Sequence, residues 1–187
     1  MTHAVLNTDD AKYPSRLRER LGADAPQRLT ALGNLDLLSL PKTALFCSAR
    51  CPGTVILSTY DQAASWRDAG RCVISGFHSP VEKECLRILL RGSQPVILCP
   101  ARALPHRVPA EWKDPLASGR LLVLSAFATA ANRVTAELAA RRNEFVAAIA
   151  DEVFIAHVTP GGHLDRLIVR LKSWAVPVIR PTNQHID

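Results

Sequence analysis

From Thr43 onward the chain alternates short, almost uncharged apolar runs with longer amphipathic stretches. Runs of this kind are expected for strands covered on both faces. The pattern predicts strands at Thr43–Cys47, Cys72–Ser75, Pro95–Cys99, Leu121–Leu124, Glu152–Ala156 and Val176–Ile179. Between them it predicts helices over about 55–69, 80–90, 110–117, 130–150 and 164–174. Gly70, Gly92 and Gly119 stand where helix C-termini favour glycine. Val134, Leu138, Phe145 and Ile149 recur at helical spacing and read as a core stripe; pattern leaves open whether 130–150 is one helix or two.

Ahead of these units, Tyr13–Leu21 and Pro26–Leu32 read as two short helical pieces, with Gly33 as a left-handed cap on the second. The expected organisation is a helical lead-in over 1–42 and one Rossmann-like domain over 43–187. Right-handed crossovers and helices on both faces leave few arrangements for such units. The fold class expected is therefore α/β, a doubly wound, mainly parallel sheet of about six strands. Ligands of that architecture sit beyond the carboxyl ends of the strands, where strand order reverses.

Those strand ends carry polar turns. Ser48-Ala49-Arg50-Cys51-Pro52-Gly53 follows the first strand and enters a helix, which suits an anion. Ser75-Gly76-Phe77-His78-Ser79-Pro80 follows the second. Gly76 allows close backbone approach, the serines offer hydroxyls, and Phe77 and His78 offer rings to stack on a base. Ser125 ends the fourth strand, with Arg142 and Asn143 downstream, and Gly161-Gly162 turns after the fifth. Together these residues outline a phosphate-holding rim.

Charge changes the picture modestly: 23 Lys and Arg against 17 Asp and Glu give +6, which favours an anionic partner. The five cysteines have no Cys-x-x-Cys spacing and read as packing residues of a reducing compartment. The chain starts without a basic-then-apolar leader and has no membrane-length apolar run, so a cytoplasmic, non-membrane protein is expected. G-x-G-x-x-G, the Walker motif, a G-x-S-x-G elbow and H-E-x-x-H are absent, so no cofactor, metal or catalytic residue is assigned. The carboxylates, Glu82 among them, fall at helical positions where solvated charge is the default.

Tyr13-Pro14-x-x-Leu17, Pro26-x-x-Leu29-x-x-x-Gly33, Ser48-Ala49-Arg50, Val73-Ile74-Ser75-Gly76-Phe77, Ser125, Arg142-Asn143 and Gly161-Gly162 occur in that order. The series resembles the DprA/Smf family of DNA-processing proteins. The resemblance implies a Rossmann-like fold that binds single-stranded DNA or a nucleotide phosphate and hands DNA to a RecA-type recombinase in recombination or natural transformation, as a homodimer. It assigns the rim to Ser48, Arg50, Ser75, Gly76, Arg142, Asn143, Gly161 and Gly162. The sequence departs from the family at Cys47, Pro80, Glu82, Leu86 and Ala126. Its length leaves no room for the extra helical and winged-helix domains of many members, so a compact stand-alone relative without catalytic turnover is expected. The competing expectation is a LOG-type nucleotide phosphoribohydrolase, which shares the turn Pro160-Gly161-Gly162; here His163-Leu164-Asp165 follows in place of its glutamate. A nucleotide-derivative sensor is the third.

Overall fold

The computed structural model describes residues 3–127 and 134–181. It places β1 (His3–Asn7), α1 (Ser15–Leu21), β2 (Arg28–Gly33), β3 (Lys42–Cys47), α2 (Gly53–Asp68), β4 (Cys72–Ser75) and α3 (Pro80–Leu90) in chain order. Then follow β5 (Val96–Leu98), α4 (Ala110–Ala117), β6 (Leu121–Ser125), α5 (Ala136–Ile149), β7 (Glu152–His157), α6 (His163–Ser173) and β8 (Val178–Ile179). One eight-stranded sheet runs β1-β2-β6-β5-β4-β3-β7-β8. The strands from β6 across to β8 pair parallel, whereas β2 pairs antiparallel with both β1 and β6.

The apolar strands are buried on both faces, as their composition demands. On β3, Ala44 and Phe46 enter one core with Leu17 and Leu21 of α1, Phe145 of α5 and Leu167 of α6. Leu45 and Cys47 enter the other, with Trp66 of α2, Leu89 of α3 and Leu116 of α4. Helices therefore cover both faces and the sheet is doubly wound. Each fully buried large side chain, Phe46 and Phe154 included, stabilises the fold by roughly 1.5–3 kcal/mol. Four of the five cysteines are buried and Cys51 is half-buried.

Three expectations need correction. Pro26–Leu32 is not helical: Arg28–Gly33 is a strand held between β1 and β6. Gly33 is accordingly no helix cap; at φ 112° it ends β2 against β6, where a Cβ would lie 2.3 Å from the Leu121 carbonyl oxygen. The sheet has eight strands and not six, because β1 and β2 extend it from the region read as a helical lead-in. The helix at 136–149 is continuous through Arg141–Asn143, opened by Thr135, whose side chain accepts from the Leu138 N–H. The part of that stretch from 128 to 133 lies outside the described residues.

Chain order reverses between β3 and β7: the chain steps outward from β3 through β4 and β5 to β6, then returns over α5 to place β7 on the other side of β3. The crevice predicted for a ligand is there.

Candidate nucleic-acid interface

The turn after β3 is tied to the turn after β7. Ser48 donates its N–H to the His157 carbonyl at 3.0 Å, and its Oγ accepts from the Thr159 N–H at 3.0 Å. The two turns, the start of α3 and one face of α5 enclose a cleft of about 480 Å³. Ser48, Arg50, His78, Arg142 and Asn143 line it, as expected from sequence. Thr159, His163 and the apolar Ala136, Ala139, Ala140 and Leu164 line it as well. Sequence reasoning missed those alanines. Their small side chains keep the α5 wall low beside Arg142, a signal visible only once the helix phase is known.

Arg142 is the most constrained group of the site. It is 4% exposed. Its Nε donates to Asn143 Oδ1 at 2.8 Å, and Nη1 donates to the Cys99 carbonyl at 3.4 Å. The guanidinium lies directly on Gly76, where a Cβ would fall 1.2 Å from Nη1. Glycine at this turn therefore serves the arginine: it leaves the space that the fork occupies. Burial lowers the pKa of Arg142, against the opposing pull of Glu82. His78 is pushed below its ordinary value by burial and then by the charge of Arg142.

Glu82 is not the solvated helical carboxylate expected. It is 5% exposed, and Oε1 accepts from the Cys47 N–H at 2.9 Å. Oε2 accepts from the N–H groups of His78 at 2.8 Å and Ser79 at 3.2 Å. With Ser79 it forms a reciprocal capping box at the start of α3. The amides that could have cradled an anion there are thus already satisfied by the protein's own carboxylate.

Several rim residues turn inward. The Ser75 hydroxyl donates to the Leu45 carbonyl at 2.8 Å and accepts from the Phe77 N–H, bracing the strand end. Phe77 adopts φ 45° and its ring is buried in the core, so it is not a stacking platform. Ser125 is buried, donates to the Arg102 carbonyl at 2.6 Å and accepts from the Phe127 N–H, outside the cleft. Gly161 (φ 72°) donates its N–H to Asp165 Oδ2 at 2.6 Å, and Gly162 to the Thr159 carbonyl at 3.0 Å. The glycine turn shapes the border, but these two N–H groups are occupied.

Comparison with known proteins follows the same line. The family DNA recombination-mediator protein A matches residues 4–162. No match is found among curated protein sequences. The fold superposes on DNA processing protein A (DprA) from Streptococcus pneumoniae with a TM-score of 0.79 at 21% identity, over 100% of this chain and 65% of that one. The present chain thus spans about 65% of the pneumococcal chain. DNA processing protein A from Helicobacter pylori, described for its unique single-stranded DNA binding mode, gives 0.74 at 18% identity, over 99% of this chain and 83% of that one. The molybdenum cofactor carrier protein of Chlamydomonas reinhardtii shares the fold more remotely, at 0.51 and 11% identity over 75% of each chain. With the family match running from β1 into the turn after β7, the chain belongs to the DNA recombination-mediator protein A family.

Proposed function

We propose that this protein binds single-stranded DNA in the cleft between the β3 and β7 turns, through the phosphate backbone and without catalytic turnover. The observation that carries the reading is Arg142. It is a buried cation whose hydrogen-bond acceptors among the described residues are neutral, an amide oxygen and a backbone carbonyl. Glu82 offsets its charge without a direct ion pair among the described residues; a buried cation held that way is costly, and a phosphate oxygen in contact would compensate it further. Arg50 lies exposed on the same cleft, and its ion pairs among the described residues number none. The apolar wall of Ala136, Ala139, Ala140 and Leu164 gives a sugar or base face somewhere to lie.

A larger concavity, about 600 Å³, lies elsewhere against α5, but Asp24, Glu137 and Glu144 line it with the single cation Arg141. That charge balance repels phosphate. Against the phosphoribohydrolase reading, Asp165 is engaged with the Gly161 N–H and Glu82 with three amides. Asp165 does not line the cleft, and both oxygens of Glu82, which does, are occupied by backbone N–H groups. The relative whose binding mode concerns single-stranded DNA supports the choice of strand. The family's role as a recombination mediator supports delivery of the strand to a RecA-type recombinase in the cytoplasm; a homodimer is the assembly we expect.

The test is titration of the purified chain with labelled single- and double-stranded oligonucleotides of one sequence. Tighter binding of the single strand is expected. Failure to bind either, or steady release of free base from nucleoside monophosphates, would overturn the proposal.

A further inference from the structure

Lys42 opens β3 at the edge of the sheet opposite the nucleic-acid cleft. Its side chain is only 6% exposed. Yet among the described residues its ammonium donates no hydrogen bond. It forms an ion pair with Asp151, whose Oδ2 is 3.7 Å away, beyond hydrogen-bond reach. That oxygen accepts instead from the Lys42 backbone N–H at 2.8 Å, while Asp151 Oδ1 accepts from Arg16 Nη1. Two cations thus share one carboxylate whose oxygens are already taken. Arg20, the neighbouring cation, donates to the carbonyls of Ala147, Ala148 and Ala150 at the end of α5.

A cleft of about 260 Å³ opens at this point, lined by Ser15, Arg16, Ser39, Lys42 and Asp151 among others. It is smaller than the roughly 300–1,000 Å³ of sites for drug-sized ligands, so it suits an occupant of few heavy atoms. Ammonium donors that no protein oxygen takes, presented to an open cleft, are well satisfied by anionic oxygen. Burial drives the Lys42 pKa down and Asp151 only partly restores it, which is how an under-compensated cation behaves.

We propose that this cleft binds one small oxyanion, of the phosphate or carboxylate class, gripped by Lys42 and Arg16. The site is independent of the nucleic-acid reading. Lys42 and Cys47 stand at opposite ends of β3, about 17 Å apart at the usual rise per residue.

The experiment uses the full chain, isotope-labelled, with inorganic phosphate in one arm, acetate in a second and chloride at matched ionic strength as control. The signals followed are the Lys42 and Asp151 amides and the Arg16 Nε. Saturable shifts at these positions are expected in the phosphate arm, the acetate arm or both, which also identifies the class, and they should vanish in Lys42→Met. Arg16→Gln, which keeps the lysine, should weaken binding about tenfold, as loss of one hydrogen bond to a charged group does. Equal shifts with chloride, or no shift with either oxyanion, would overturn the proposal. Should Lys42→Met fail to fold, unchanged affinity in Arg16→Gln would do the same. Phosphate taken up only by the other cleft would move Arg50 and Arg142 signals and leave Lys42 still, which also contradicts it.

Discussion

Gly76 and Arg142 are best understood as one unit. The arginine fork occupies the volume where any larger residue at position 76 would carry its Cβ, and Asn143 holds the fork by accepting from Nε. Gly76→Ala should therefore displace Arg142 and not merely stiffen the turn. Overpacking of this kind costs about 1–3 kcal/mol. Part of that cost should appear as a lower denaturation midpoint, and oligonucleotide affinity should fall about as far as in Arg142→Met. Unchanged affinity in Gly76→Ala would show that the fork is not held where the binding reading needs it. The residue types of the site are legible in sequence: Ser48, Arg50, His78, Arg142 and Asn143 all reach one cleft. Side-chain direction is not. Ser75 and Ser125 end strands that are buried on both faces, and Phe77 takes a positive φ in the turn after β4; all three are held inside the protein. Glu82 departs from expectation for a related reason: the N–H groups it accepts from lie in the turn before its own helix and in a strand distant in sequence, and only the assembled fold brings Cys47 to it.

At the scale of elements, the central units from β3 to α6 follow the apolar pattern closely, since parallel strands buried on both faces leave an unambiguous apolar run. The two strands that pattern misses are different. In β2, Leu29 and Ala31 enter one core and Leu32 the other. That spacing fits a helix turn as well as a strand, and Pro26 adds a false helix start. The choice is made by pairing: Thr30 stands opposite Val5 on one side and Ser125 on the other. β1, a short edge strand with Val5 43% exposed, offers little hydrophobic signal to read. Thr30→Pro tests the assignment, because proline inside a paired strand removes a ladder hydrogen bond and leaves its partner carbonyl unsatisfied, and a loss of about 1–3 kcal/mol is expected. Chemical denaturation measures it; a variant as stable as the parent would contradict the pairing on both sides of β2.

The whole molecule places its chemistry by topology. The reversal of strand order beside β3 brings the β3 and β7 turns together, Ser48 ties them, and α5 lays Arg142 and its alanine wall along the same opening. The location of the cleft can be anticipated from the expected doubly wound sheet. Its charge distribution cannot, because Glu82 fills one amide cradle from within and Gly161 and Gly162 have used their N–H groups. On the proposed reading, recognition of a phosphate backbone is left to arginine side chains, which makes it an electrostatic property that salt can measure. The decisive measurement is the slope of log affinity against log salt concentration for a single-stranded oligonucleotide, in the parent, Arg50→Ala and Arg142→Met. Each phosphate of a single strand that the protein no longer neutralises should flatten the slope by about 0.7, so both variants should bind more weakly and with a shallower slope. Parental slope and affinity in both would mean that DNA, if bound at all, lies elsewhere on the protein.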